Sequence, residues 1–344
     1  METTTKKQLA FWLIIALIII YVQVIIGGIT RLTESGLSIT RWDLVSGTLP
    51  PMSETAWNEQ FTLYQQSPQY AKINKGMSLS EFKFIFFWEW LHRFWGRWGG
   101  LFLVAVFAWF MARKKLDSNT RKHLIIILLL YAFQGVLGWF MVKSGLVDMP
   151  RVSHYRLTAH LLTALTLFAY ILWLVSRLLL APEQKVQDKT TYSDLRWLIP
   201  FIILQIAYGG FMSGLRAALY FPSFPDYNGS LLPVNLWALK PFYLNFFENI
   251  ATVQFIHRTL AYFLVIYVIQ LWLKIRRITT ENPYLHRANN LLLALLALQV
   301  TLGISILLLS AQGIPVLWGV LHQAVGLAVL SAALFLFFQY RKTT

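Results

Sequence analysis

The 344-residue sequence is 57% hydrophobic and only 13% charged, where a soluble domain carries roughly 25% charged residues, so the composition suits lipid rather than water. Its net charge of +15 does not point to nucleic acid, because the basic residues fall in short clusters between apolar runs, with no basic–aromatic stripe. The lack of cysteine excludes disulfides, thiolate metal sites, cysteine-ligated iron–sulfur clusters and thioether-attached haem.

Met1 to Lys7 lead straight into the first apolar run, with neither an Arg/Ser-rich transit peptide nor an evident small-residue cleavage site. This predicts a retained first helix of a multi-pass protein of the bacterial inner membrane. A spanning helix needs about 20 mostly apolar residues. Segments 9–29, 84–111, 124–142, 157–178, 197–215, 251–273, 290–310 and 315–338 meet that requirement. Segment 197–215 is interrupted by Gln205, Gly209 and Gly210, residue types common where membrane helices pack closely. The expected fold is therefore an all-α membrane protein of eight transmembrane helices.

Basic residues orient the spans. Lys6 and Lys7 precede the first. Arg113, Lys114, Lys115, Arg121 and Lys122 separate the second from the third, and Arg177, Lys185, Lys189 and Arg196 the fourth from the fifth. Lys274, Arg276, Arg277 and Arg287 lie between the sixth and seventh, and Arg341 and Lys342 follow the eighth. All five clusters fall on one side, which the positive-inside rule assigns to the cytoplasm, giving an N-in/C-in topology. The opposite side carries two long connections, 30–83 and 216–250, whose Pro, Trp and Tyr content predicts ordered caps over the outer face.

An internal repeat divides the chain. Each odd span carries Gln followed four residues later by Gly: Gln23/Gly27, Gln134/Gly138, Gln205/Gly209 and Gln299/Gly303. Each even span carries one histidine: His92, His160, His257 and His322. His92 and His257 are 165 residues apart, His160 and His322 are 162 apart, and Gln134 and Gln299 are again 165 apart. Two pseudo-repeated four-helix bundles follow, about 1–180 and 190–344, in the same orientation because each has an even number of spans.

All four even spans run from outside to inside, and each histidine lies within about three turns of the outer end. The imidazoles thus share one depth in the outer half of the membrane. A single intramembrane histidine often only completes an interhelical hydrogen bond, but polar groups in a bilayer are costly, and four matched ones mark function. Four neutral imidazoles could bind a metal directly or ligate haem. Facing pairs in a helix bundle suit bis-His haem, His92 with His160 and His257 with His322. Small residues nearby (Gly96, Gly99, Gly100, Ala261 and Gly326) give relief for a planar ring. A bare copper or zinc site fits less well, because carboxylate and Met ligands are scarce. His123, His154 and His286 fall in loops or at helix ends.

The two halves differ in chemistry. Glu89 lies three residues before His92, on the same helix face, whereas Gln254 precedes His257 at that spacing. Arg156 lies four residues before His160, where Trp318 precedes His322. A buried carboxylic acid beside a haem is placed for proton transfer; its alternative role is as structural partner of Arg93 or Arg97. Arg31, Arg93, Arg97, Arg156 and Arg258 near outer helix ends are placed either to anchor haem propionates or to snorkel to the interface. These differences predict a catalytic site in the first half and an electron-transfer haem in the second.

The chain resembles the heme A synthase family, in its proteobacterial and mitochondrial type without loop cysteines. The resemblance is carried by GGITRLTESGLSI (27–39), the Pro pair at 50–51, GMSLSEFKFIFFWEWLHRFWGR (76–97), GWFMVKSGL (138–146), VSHYRLTAHL (152–161), QFIHR (254–258) and LHQAVGLAVL (321–330). It covers nearly the whole chain. The lack of cysteine departs from the other branch of the family, so no role of a loop cysteine pair carries over. The resemblance implies oxidation of the haem O C8 methyl to a formyl by two successive hydroxylations, the second product losing water. It further implies haem b as cofactor on His257 and His322, substrate haem O near His92 and His160, and a catalytic glutamate matching Glu89. A protoheme farnesyltransferase as the source of haem O, and haem–copper oxidase assembly downstream, are the implied partners. Membrane lipid surrounds the protein, and a second copy of the chain, in a homo-oligomer, is the remaining candidate partner. From a different class, a diheme cytochrome b-type electron-transfer protein using quinol would also need four histidines, but not the Glu89/Gln254 difference.

Overall fold

Short polar residues at helix starts decide where half of the ten helices begin in the computed structural model, which describes residues 1–41, 46–145, 150–180, 185–280 and 282–340. Helices α1 (Thr3–Leu32), α2 (Glu54–Gln65), α3 (Pro68–Lys72), α4 (Leu79–Ala112) and α5 (Ser118–Gly145) are followed by α6 (His154–Leu179), α7 (Lys189–Leu215), α8 (Ile250–Ile275), α9 (Leu285–Leu309) and α10 (Val316–Phe338). Ser78 and Glu81 form a capping box at α4, each side chain meeting the other's backbone N–H. Ser53 caps α2, Ser67 caps α3 with Pro68 in its first turn, Asp188 caps α7 and Asn249 caps α8.

Eight of these helices (all but α2 and α3) are long and apolar enough to cross a membrane, as the hydropathy of the chain predicts. The protein is a multi-pass membrane protein. Large apolar side chains on the helix surfaces, such as Leu101, Leu129 and Ile266, fit lipid and would be costly in water.

Helices run further than the apolar segments. The span expected at 197–215 begins at Lys189, eight residues earlier, because the Asp188 carboxylate takes the backbone N–H groups of Thr190 and Thr191. The span expected at 84–111 likewise begins at Leu79, behind its capping box.

The chain divides into two compact units, one of Ile18–Ala164 and one of Met1–Leu17 with Leu165–Thr344. In the second of these, α7 packs on α8, α8 on α9, α9 on α10 and α10 back on α7, closing a four-helix bundle. In the first, α4 packs on α5, and α2 packs against the start of α4. There Tyr64 of α2 lies fully buried with Phe82, Ile85 and Phe86 of α4, and Trp57, Phe61 and Tyr70 pack around them. The connection 216–250 is anchored in the same way: Phe221 and Tyr227 pack against Ala251 and Phe255 of α8. Buried Asn245 bonds the carbonyls of Leu239 and Phe242, and Asn249 that of Asn235.

Candidate functional site

The glutamine–glycine signature of the odd spans meets the histidines of the even spans at four places. In the unit Ile18–Ala164, His92 of α4 rests on Gly27 of α1, where a Cβ would come within 3.0 Å of the imidazole Cε1. Alanine would therefore push the ring away. Gln23, one turn earlier on α1, places Nε2 3.2 Å from His92 Nδ1 and 3.4 Å from His92 Nε2, and donates to the His92 carbonyl at 3.1 Å. The pattern repeats between α5 and α6. A Cβ on Gly138 would meet His160 Cε1 at 3.2 Å, and Gln134 donates to the His160 carbonyl at 2.9 Å.

The other unit repeats it twice more. Gly209 of α7 faces His257 of α8, with 3.4 Å from an added Cβ to Cε1, and Gly303 of α9 faces His322 of α10 at 3.0 Å. Gln205 donates to His257 Nε2 at 3.3 Å and Gln299 to His322 Nε2 at 3.1 Å. His322 Nδ1 donates to the Gln299 backbone carbonyl at 3.1 Å; a carbonyl only accepts, so Nδ1 carries the proton and Nε2 the lone pair. His160 lies within electrostatic reach of His92, and His322 within reach of His257. One histidine pair thus falls in each unit.

The glycines following the histidines have a different role from the one their sequence suggested. Rather than leaving open space for a flat ring, Gly96 and Gly326 receive the carboxamides of Gln23 and Gln299, at 3.3 and 3.2 Å from an added Cβ. Gly99 and Gly100 face the ring of Tyr131, whose hydroxyl donates to the Gly96 carbonyl at 2.8 Å.

Beside the first pair, three donors converge on the buried Glu89 carboxyl: Ser38 Oγ at 2.7 Å, the Ile39 backbone N–H at 2.8 Å and Arg93 at 2.5 Å. Arg93 also donates to the carbonyls of Ile39 and Arg41, at 3.1 and 3.2 Å. Glu89 and Arg93 together clamp the strand of chain leaving α1 onto α4. Arg93, rather than Arg97, is the cation Glu89 pairs with.

The equivalent positions in α8 clamp their own connection without a carboxylate. Gln254 donates to the Phe221 carbonyl at 3.1 Å. Arg258 donates to the carbonyls of Asp226, Phe221 and Ser223 at 2.8 to 2.9 Å and lies over the Tyr227 ring, 4.2 Å from its centroid. Of the other arginines, Arg97 reaches the Gly47 carbonyl at 3.5 Å, Arg156 sits over Phe140, 4.9 Å from the ring centroid, and Arg31 lies in the last turn of α1.

Residues 10–334 match the sequence profile of COX15-CtaA, cytochrome oxidase assembly protein. The chain belongs to this family. It is 43% identical to a heme A synthase of Nitrosospira multiformis over 344 residues, covering 98% of this chain and 94% of that protein. It is 41% identical to one of Flavobacterium psychrophilum, covering 98% and 99%, and 39% identical to one of Sinorhizobium medicae, covering 96% and 89%.

For a COX15-CtaA protein the donor set fits haem. Each unit offers two imidazoles, and among the described residues no group of three or more His, Cys, Asp or Glu side chains could hold a metal ion. A structural zinc ion needs about four protein ligands, whereas a porphyrin brings its own in-plane nitrogens and asks the protein only for axial ones. Buried polar atoms without partners among the described residues point the same way: Nδ1 of His160 and of His257, and Oε1 of all four glutamines. Ser38, Ile39 and the four glutamines are the site residues that sequence reasoning did not assign a role. The glutamines stood out in the repeat, but only as its markers.

Proposed function

We propose that this protein is a heme A synthase, an oxidoreductase that converts haem O to haem A by two successive hydroxylations of the C8 methyl, the second product losing water to leave the formyl. The observation that carries the reading is the pairing of imidazoles, one pair per unit, with Glu89 one turn from His92 where Gln254 stands near His257, in a chain of this family.

His92 and His160 hold the substrate haem, and Glu89 handles the proton beside it. His257 and His322 hold a resident haem b, which supplies one-electron transfer when bound. Arg31, Arg97, Arg156 and Arg258 are the candidate propionate anchors. Arg258 serves in a reduced capacity, since its two terminal nitrogens already bond three backbone carbonyls. The first-half residues, about 1–180, form the substrate half and 190–344 the cofactor half. Both termini lie on the cytoplasmic face of a bacterial inner membrane, since the basic clusters sit at alternate helix ends. A protoheme farnesyltransferase supplies the haem O, and a second copy of the chain is the partner in a homo-oligomer. The diheme electron-transfer reading finds no support among relatives that are themselves named heme A synthase.

The test is expression in a host that makes haem O and lacks haem A, followed by chromatography of the extracted haems. Hydroxylated haem O and haem A are expected. Their absence from folded, haem-loaded protein would sink the assignment.

A further inference from the structure

The partners of α8 fix how deep the connection 216–250 reaches into the membrane. The charged end of α8 begins at Lys274, with Arg276 and Arg277 just beyond it. A hydrocarbon core about 30 Å thick takes about 20 helical residues, so counting back from Lys274 puts the other boundary near Gln254. Arg258 and Tyr262 then lie inside that boundary by about 6 and 12 Å, at about 1.5 Å per residue.

The connection follows α8 past the boundary. Arg258 donates to the carbonyls of Asp226, Phe221 and Ser223 at 2.8 to 2.9 Å, and the Phe224 ring packs on that of Tyr262, centroids 6.4 Å apart. Gln254 gives the Phe221 carbonyl a second donor at 3.1 Å. At this depth a charge is costly unless paired, and irregular backbone is tolerated only where protein satisfies its polar groups. The clamp meets both conditions at once.

The chain then turns back. Tyr227 and Ser230 exchange backbone hydrogen bonds of 2.8 and 3.2 Å across a two-residue turn, Asn228 and Gly229, both at positive φ. Tyr227 packs near Phe255, and the Asn235 carbonyl accepts from Asn249 at 2.9 Å. Leu231, Leu232 and Val234 are thereby bracketed between those two levels of α8, about 9 Å apart and ending at the boundary. They are 93%, 56% and 62% exposed, and no charged residue falls between Asp226 and Lys240. An exposed apolar patch of this kind marks an interaction surface. Its occupant follows from its depth and lack of charge: the same lipid that meets exposed Tyr262 and Ile266 on α8.

We propose that residues 221–234 form a re-entrant loop, and that Leu231, Leu232 and Val234 insert shallowly among phospholipid acyl chains in the leaflet at the start of α8. The inference requires only that α8 spans the membrane and is independent of the haem reading.

The chain has no cysteine, so one introduced cysteine carries one label. Leu231→Cys and Val234→Cys are labelled with a polarity-sensitive fluorophore in nanodiscs of phosphatidylcholine and phosphatidylglycerol. Ile266→Cys is the deep reference, and Lys75→Cys, at an exposed position before the start of α4, the aqueous one. The quenchers are iodide in water and lipids spin-labelled near the top or at the end of the acyl chain. The Leu231 and Val234 labels are expected to emit to the blue of Lys75, to resist iodide, and to be quenched most by the upper-chain spin label. Ile266 should respond most to the chain-end label. Emission and iodide quenching like those of Lys75 would put the loop in water and overturn the proposal. Protection from iodide and from both lipid labels would show that protein covers the loop, a second copy or another chain, and would overturn it equally.

Discussion

Glu89 is the residue whose meaning changes most between sequence and structure. Its spacing from His92 suggests a proton-handling acid, and its surroundings add a second duty, because it joins Ser38, Ile39 and Arg93 where the chain leaving α1 meets α4. The two roles separate by substitution. Glu89→Ala leaves Arg93 buried beside no counter-charge. It costs on the order of 3 kcal/mol, the low end for a broken buried pair, since Arg93 keeps the carbonyls of Ile39 and Arg41. Thermal unfolding in detergent reads that loss. Glu89→Gln keeps the size and an acceptor oxygen but not the transferable proton. It is expected to fold and carry haem b while losing about 100-fold or more in haem A formation. Full activity in that variant would remove Glu89 from the chemistry. The glycines give a graded test at the same scale. Gly303→Ala places a Cβ 3.0 Å from the His322 ring, whereas Gly209→Ala meets His257 at an ordinary 3.4 Å. Haem occupancy and the low-spin spectrum should therefore suffer in Gly303→Ala and survive in Gly209→Ala. Equal losses would contradict the packing described.

At the scale of elements, two of the four histidine helices, α4 and α8, are tied to the connection before them by an arginine one residue past the histidine. Arg93 holds 39–41 and Arg258 holds 221–226, in each case through backbone carbonyls. Charged hydrogen bonds of this kind contribute about 1.5–3 kcal/mol each. Arg258→Gln should accordingly speed hydrogen exchange and proteolysis within 217–230 while the α7–α10 bundle stays protected; unchanged protection there would show the clamp to be dispensable. The helices themselves were legible in the sequence, since runs of about 20 apolar residues have few alternatives in lipid. Their starts were less so. The first turns of α7, with Lys189, Asp194 and Arg196, are polar, and hydropathy ends where the helix does not. The Asp188 cap was the available signal. The clamp was not legible, because its acceptors are main-chain carbonyls of connections whose path no periodicity encodes.

At the scale of the molecule, the repeat in the sequence correctly set glutamine and glycine apart from the surrounding apolar residues, but could not say what they touch. Spacing along a helix fixes which residues share a face; it does not fix which helix that face meets. The folded chain resolves the point, with α1 against α4, α5 against α6, α7 against α8 and α9 against α10, each glutamine and glycine meeting one histidine. We propose that these four similar contacts serve two different purposes, a substrate haem in the first half and a resident haem b in the second; this division has a direct experimental test. It is tested most directly by the haem inventory of four purified variants, His92→Ala, His160→Ala, His257→Ala and His322→Ala, from a host supplying haem O. The His257 and His322 variants are expected to lose haem b, and the His92 and His160 variants to keep haem b with its bis-His spectrum but form no haem A. Loss of haem b from the first-half variants, or its retention with a normal spectrum in His257→Ala, would contradict the division.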